Sequence, residues 1–123
     1  MAYNGWIKLH RKIVDSRVFA KPEMLKLWLL CLIKANHDSA WVDIDGLTEP
    51  VKVEPGQFIT GRYALHREYY PKKVRDMKSE LTLWRWLQKL EKWGNLNINS
   101  YTKYSLMEVS NWDKYQVSES GKQ

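Results

Sequence analysis

The sequence predicts an α+β fold, mostly helical, in which a helix-turn-helix precedes a small antiparallel sheet. Three observations lead to this prediction. An apolar segment spans residues 23–35, an amphipathic run TLWRWLQKLEKW spans Thr82 to Trp93, and two short apolar strands follow Gly94. A chain of 123 residues with 44% apolar residues is long enough to fold as one domain around one core.

The first 35 residues are expected to supply the centre of that core. Trp6 to Val18 has the pattern of a short amphipathic helix, and Pro22 suits the start of the next helix. The candidate apolar contacts of the first helix are Ile7, Ile13, Val14 and Val18. Glu23 to about Ala35 is apolar nearly all round, which predicts a central buried helix. Its Cys31 has no CxxC or histidine pair nearby and is expected to be a buried structural thiol.

Short strands are predicted between residues 41 and 60. The turn signals Asp45-Gly46 and Pro55-Gly56 separate the apolar runs of this region. The predicted strands are Trp41 to Ile44, Val51 to Val53 and Gln57 to Thr60.

A helix-turn-helix is predicted next. Arg62 to Tyr69 suits its first helix, with Pro71 as the stop. The two residues of this helix expected to face inward are Leu65 and Tyr69. A basic loop, PKKVRDMK, then spans residues 71–78, and its cations are candidates for contact with a nucleic-acid backbone: Lys72, Lys73, Arg75 and Lys78. Thr82 is expected to cap the second helix through its hydroxyl, and Gly94 to close it.

The helix that begins at Thr82 has two chemically different faces. At 3.6 residues per turn, one side holds a candidate core set of Leu83, Trp86, Leu87, Leu90 and Trp93. The other side holds a candidate DNA-binding set of Trp84, Arg85, Gln88, Lys89 and Lys92, to which Thr82 at the start of the helix also belongs. Arg85 and Gln88 project from the first turns, where base edges are read, whereas Lys89 and Lys92 are expected to contact phosphates. Trp84 has two open interpretations, stacking on DNA or packing against protein.

The two strands after Gly94 predict a wing, which makes the pattern that of a winged helix-turn-helix. The strands are expected at Leu96 to Ile98 and at Tyr104 to Val109. In such folds the last helix lies in the major groove and the hairpin flanks it. Ser100, Thr102 and Lys103 near the hairpin tip are predicted to bind phosphate oxygens.

The remaining segment is expected to close the domain. NWDKYQ at residues 111–116 is predicted to be a structural latch, with Trp112 and Tyr115 packing against the first helices. The sequence thus predicts one winged-helix DNA-binding domain over residues 1–116 and a polar carboxy-terminal tail over residues 117–123.

Positive charge is concentrated in two parts of the chain, although the net charge is only +6. Residues 1–35 carry seven basic and two acidic side chains, and residues 62–100 carry nine basic and four acidic ones. Residues 36–61 are acidic, with one lysine against five carboxylates. A surface of one sign steers a polyanion to its site, and the second basic segment contains the helix from Thr82. The alternative is a solvated surface rich in lysine.

Five segments also resemble a known family. They are GWIKLHRKI (5–13), LWLLCLIKANHD (27–38), EPGQFITGR (54–62), TLWRWLQKLEKWGNLNI (82–98) and NWDKYQ (111–116). In this order they resemble the amino-terminal winged-helix domain of phage and prophage replication initiator (replisome organiser) proteins, which are related to the DnaD primosome family.

The resemblance implies a winged helix that binds duplex DNA, often with self-association. It also implies a carboxy-terminal region that recruits the helicase loader or helicase of the primosome. Because this chain ends at VSESGKQ, we expect that region to be missing from it. The loop from Tyr70 to Leu81 is longer than the tight turn of many members of that family. The resemblance therefore does not predict the angle of the helix that begins at Thr82.

Catalytic and membrane functions find little support in the sequence. The histidines His10, His37 and His66 stand far apart, and no HExxH, GxSxG or Walker GxxxxGK motif occurs. No enzyme activity, cofactor or metal is therefore expected. No apolar run is long enough to span a bilayer and no secretory signal is visible, so we expect a cytoplasmic protein of a bacterial host cell, without a membrane partner.

These observations predict a non-enzymatic domain that binds double-stranded DNA in phage or prophage replication initiation. Two alternatives stay open. A phage transcription regulator would use the same fold and the same helix. A protein interaction or oligomerisation module of a primosome would instead use the aromatic side chains Trp84, Tyr101 and Tyr70 to contact protein.

Overall fold

Three α-helices and five antiparallel strands make up the α+β fold of residues 5–117, the part of the chain that the computed structural model describes. The helices are α1 (Pro22–Lys34), α2 (Arg62–Tyr69) and α3 (Glu80–Lys92). The strands are β1 (Ala40–Val42), β2 (Val51–Val53), β3 (Gln57–Thr60), β4 (Leu96–Ser100) and β5 (Ser105–Val109). Residues 118–123 of the predicted tail lie outside the described residues.

Helix α1 is the centre of the core, as predicted. Pro22 occupies its first turn, where the missing N–H costs nothing, and Leu27 and Cys31 are fully shielded from solvent. The helix is not buried on every side, because Trp28 is only partly buried and Ile33 is exposed. None of the helices in residues 5–117 has the length and apolar character that crossing a bilayer requires.

The strands form two separate antiparallel sheets. One is the hairpin β1–β2, and the other has three strands in the order β3-β5-β4. In the larger sheet Phe58 lies opposite Met107, which in turn lies opposite Ile98. Phe58 and Met107 are buried, so this row of side chains forms the inner face of the sheet.

The turn between β2 and β3 connects the two sheets and packs against Trp112. Gln57 N–H donates to the Glu54 carbonyl over 3.0 Å, and Gly56 adopts a φ of +84° that Pro55-Gly56 turns require. The Trp112 ring covers this turn, so closely that a Cβ on Gly56 would lie 2.7 Å from its Cγ. The predicted turn is therefore confirmed, and a side chain from the far end of the chain covers it.

The predicted helix from Trp6 to Val18 does not form. The chain instead makes two short 3-10 turns, Arg11–Asp15 and Arg17–Ala20, with extended Ser16 between them. The Ser16 hydroxyl donates to the Ile13 carbonyl over 2.7 Å and so competes with continuation of a helix. Val18 is buried as predicted, but Val14 is exposed.

The start of α3 also differs from the prediction. Ser79, not Thr82, is the capping residue: its Oγ accepts the Thr82 N–H over 3.1 Å, and the helix begins at Glu80. Serine and threonine can both cap a helix, and here the first of the two, Ser79, accepts a backbone N–H that has no partner within the helix. The far end agrees with the prediction, since Gly94 has a φ of +85° just after the Trp93 cap.

The segment NWDKYQ packs back on the start of the chain, as the latch prediction states. Trp112 is buried and meets the His37 ring edge-on at 5.0 Å between centroids. Gln116 accepts the Lys8 N–H through Oε1 over 2.8 Å and donates through Nε2 to the Lys8 carbonyl over 2.7 Å. Tyr115 stays partly exposed at its contact with the His10 ring.

The strand β4 lies at one edge of the larger sheet. Its central residue, Ile98, points its N–H away from β5 and donates it to Glu91 Oε2 of α3 over 2.8 Å. This hydrogen bond ties the last turn of α3 to the strand that follows it.

Candidate nucleic-acid interface

The buried side of α3 fixes which residues face solvent. Leu83, Leu87 and Leu90 are all fully buried at the spacing of one helix face. They belong to the same core cluster as Leu65 and Tyr69 of α2. The two tryptophans of the predicted core set, Trp86 and Trp93, are partly buried and pack against that cluster.

The opposite side of α3 is an exposed polar stripe. Its members are Arg85, Gln88, Lys89 and Lys92, all exposed. They follow one another at intervals of three, one and three residues, so they lie along one face of the helix. Three cationic groups and one amide on a continuous helix face can contact phosphates and the base edges of a major groove. The structure thus brings these four predicted residues together.

The basic loop before α3 is held at its end by α2. The carbonyl of Lys78 accepts a hydrogen bond from His66 Nε2 over 2.8 Å, and the Lys78 N–H donates to the Tyr70 hydroxyl over 3.0 Å. The side chains of the four predicted cations of this loop are exposed: Lys72, Lys73, Arg75 and Lys78. Helix α2 therefore positions the backbone at the end of the loop and leaves its charges in solvent.

The aromatic pair at the end of α2 is in turn fixed to α1. The Tyr69 hydroxyl donates to the Glu23 carbonyl over 2.9 Å, and the Lys26 ammonium lies 4.4 Å from the Tyr69 ring centroid. Burial, with smaller contributions from Tyr70 and Glu23, raises the pKa of Tyr69 to about 12. Tyr69 therefore keeps its proton, and with it the hydrogen bond to α1, to a higher pH than a solvent-exposed tyrosine does.

The tip of the β4–β5 hairpin, which we call the wing tip, is shorter than predicted. Ser100 pairs with Ser105 and belongs to β4, so only residues 101–104 form the turn. The Tyr101 N–H donates to the Tyr104 carbonyl over 2.8 Å, and their rings stack at 4.8 Å with an angle of 23°. Thr102 is exposed between them. The stacked rings and this hydrogen bond fix the conformation of the tip.

Lys103 at the wing tip lies against the acidic β1–β2 loop. Its Cε would be 3.1 Å from a Cβ built on Gly46, whose φ of +91° belongs to the turn that closes between Ile44 and Leu47. The wing tip and the acidic loop are far apart in the sequence. The structure thus places the predicted phosphate ligand Lys103 beside the one acidic segment of the chain.

Thr82 and Trp84 are less accessible than the rest of the predicted set. Both are partly buried, and the Trp84 ring packs against the core cluster. Trp84 also borders an open groove of about 900 Å³, which we call the wing groove. Its principal side chains are Asp43, Asp45, Arg62, Arg67, Trp84 and Tyr101.

Arg62 and Arg67 are exposed basic residues of the wing groove that the site prediction omitted. The charge count of residues 62–100 includes both of them, which is the available signal in the sequence. Their assignment to the groove requires the packing of α2 beside the wing tip. In residues 5–117 no group of three or more His, Cys, Asp or Glu side chains is arranged to hold a metal ion.

Comparison with known proteins identifies no relative of this chain. No family model matches the chain, and no curated protein or solved structure is significantly similar to it.

Proposed function

We propose that residues 5–117 form a winged-helix domain that binds double-stranded DNA in phage or prophage replication initiation. The observation that supports this most directly is the exposed stripe Arg85, Gln88, Lys89 and Lys92 on α3. The strand order β3-β5-β4 and the succession of α2, α3 and hairpin are compatible with a winged helix and support this proposal. The link to replication rests on the resemblance of five sequence segments to the replication initiator family.

In the proposed complex, α3 lies in the major groove. Arg85 donates to guanine and Gln88 pairs with adenine, while Lys89 and Lys92 neutralise phosphates. The loop cations contact the adjacent backbone from a position set by the His66 and Tyr70 hydrogen bonds to Lys78. Thr102, which is exposed at the wing tip, contributes a hydroxyl to the flanking phosphates.

The test is selection of bound sequences from random duplex DNA, followed by affinity measurements at several salt concentrations. Neutralisation of about four to six phosphates gives a slope of log affinity against log salt of roughly −4 to −5. A flat salt response contradicts the proposal. Selected sites that match origin repeats support a replication role, and promoter operators support a transcription regulator instead.

A protein interaction module, with helicase loader, helicase or a second copy as partner, is the second candidate. Its support is an open groove bordered by Trp6 and Ile33, where Trp6 is 87% exposed. The aromatic surface predicted for this role is not continuous, because Trp84 and Tyr70 pack against the core while Tyr101 stays exposed. Light scattering with and without duplex DNA separates the two candidates: self-association without DNA affinity favours the interaction module.

A further inference from the structure

We propose that the wing groove binds an unpaired DNA strand that continues from the duplex held by α3. This inference rests on the proposed duplex binding and assigns a second site beside it. The groove combines an aromatic stacking surface with positive charge, the two features that sites for single-stranded nucleic acid use, and it adds hydrogen-bond acceptors.

The stacking surface is the wing tip. The Tyr101 ring is 54% exposed, and its stacking on Tyr104 fixes its orientation before any ligand arrives. Trp84 borders the same groove with a ring that the core holds in place. Bases stack on such rings regardless of sequence, because every base has a π-face. Because the rings are already ordered, stacking on them loses little side-chain entropy.

The positive charge comes from α2 and the wing. Arg62 and Arg67 are exposed on the helix, and Lys103 lies at the tip, so cationic groups border the groove on two sides. A strand that runs between them has its phosphates near guanidinium groups, which bind phosphate oxygens well. These residues are distinct from the α3 stripe, so the groove supplies charge beyond that used for the duplex.

The acceptors are two carboxylates of the acidic loop. Asp43 and Asp45 border the groove, and both are exposed. Carboxylates repel phosphates but accept hydrogen bonds from the amino group of cytosine. The groove therefore suits a base whose edge faces the acidic loop and whose phosphate faces the arginines. Inside a duplex each base face is covered by its neighbours, so stacking on Tyr101 favours an unpaired strand as the occupant.

The size of the groove agrees with this occupant. Its volume of about 900 Å³ lies within the range of sites that hold a small organic ligand, so it has room for a nucleotide. Because the groove is open to solvent, a strand can enter and leave it without being threaded.

The experiment compares a blunt duplex that carries the selected site with the same duplex bearing a cytosine tail of about six nucleotides, on each strand and at each end in turn. Fluorescence anisotropy measures the affinity of the whole chain for each DNA. At least one tail position is expected to raise affinity about tenfold, since one stacked base supplies this much. Equal affinities for all tailed and blunt DNAs overturn the inference, and this result is also the one expected if the groove instead binds a peptide.

Three variants locate the effect. Tyr101→Ala and Arg67→Ala are each expected to bring the ratio of tailed to blunt affinity close to one. Tyr63→Ala is the matched control, because Tyr63 is 62% exposed on α2 and does not border the groove, and it is expected to keep the full ratio. Equal ratios for Tyr101→Ala, Arg67→Ala and Tyr63→Ala overturn the inference. Unchanged thermal midpoints show that the variants fold.

Failure of the proposed function has a different signature. If no blunt duplex binds, the groove is tested with a single-stranded cytosine oligonucleotide alone. Binding that Tyr101→Ala and Arg67→Ala weaken about tenfold, and Tyr63→Ala does not, supports the groove without the duplex site. Absence of binding overturns the groove inference as well.

Discussion

Gln116 and Lys8 are joined by a pair of hydrogen bonds across 108 positions of sequence, with the Gln116 carboxamide accepting from the Lys8 N–H and donating to the Lys8 carbonyl. We expect Gln116→Ala to lower the free energy of unfolding by about 1–3 kcal/mol, because two partly buried backbone groups lose their partner. Urea denaturation measures the change. Gln88→Ala, on the exposed stripe of α3, is the control and is expected to cost less than about 0.5 kcal/mol. Equal losses in the two variants contradict the latch.

The cap of α3 can be tested by two substitutions three residues apart. Ser79→Ala removes the oxygen that accepts the Thr82 N–H, and we expect it to destabilise the protein by about 1 kcal/mol. Thr82→Ala keeps that hydrogen bond and places a better helix former inside the first turn, so no loss is expected. Thermal unfolding of both variants is the measurement. The reverse order of stabilities would restore Thr82 as the cap.

Three glycine substitutions separate backbone strain from steric clash. Gly61→Ala, at a position with extended backbone and open space, is expected to change stability little. Gly94→Ala forces a φ of +85° on a side chain and is expected to cost about 1–2 kcal/mol. Gly56→Ala adds a Cβ 2.7 Å from the Trp112 ring to a similar strain, so its loss is expected to be the largest. Chemical denaturation gives the three values, and equal losses at Gly56 and Gly94 would contradict the close packing of Trp112.

The buried thiol of Cys31 predicts a loss of stability at alkaline pH. Burial, partly offset by Lys34, raises the pKa of Cys31 from 9.0 to about 12. Between these values the unfolded chain releases a proton that the folded chain keeps, so the free energy of unfolding falls as pH rises through that window. One such group contributes a slope of at most about 1.4 kcal/mol per pH unit.

Denaturation from pH 8 to 11 measures this slope. Cys31→Ala leaves a small cavity and is expected to lower stability at pH 8, but its slope is expected to be shallower than that of the wild type. Parallel curves would show that the thiol ionises equally in both states. Tyr69, whose pKa is also raised to about 12, contributes a slope of the same sign in both proteins.

The α3 stripe predicts two kinds of binding loss. Arg85→Ala or Gln88→Ala is expected to relax sequence preference at one base position by about 1–3 kcal/mol, because each removes a base-edge contact. Lys89→Ala is expected to weaken all sequences alike and to make the salt slope shallower by about one. Competition binding against single-base variants of the selected site measures both. Lys21→Ala, an exposed lysine outside the predicted interface, is the control. Equal losses for Lys21 and Lys89 would indicate only unspecific charge attraction.

The sequence predicts the bounds of an element well where the residues that start and stop it are unambiguous. The bounds of α2 agree with the prediction, since Gly61 precedes it and Pro71 follows it. The start of α3 was displaced by two residues because Ser79 and Thr82 are both competent caps. The segment before Pro22 has helical periodicity, but the Ser16 hydroxyl hydrogen bond and extended backbone interrupt it.

The candidate site was predictable only where its residues lie in a single helix. The α3 stripe follows from helix periodicity, so its four exposed residues agree with the sequence pattern. The wing groove joins the β1–β2 loop, α2 and the wing tip, whose proximity depends on packing. Periodicity within one element carries no information on such contacts. For the same reason, the contact of Lys103 with Gly46 could not be foreseen.

The hydrogen bond from Ile98 N–H to Glu91 has a consequence for solubility in concentrated solution. A sheet edge with free amides can recruit a strand from another molecule and start aggregation. Because the Glu91 carboxylate occupies the central amide of β4 and adds a negative charge there, incoming strands meet a blocked donor at this edge. One side chain of the helix thus protects the wing from intermolecular pairing.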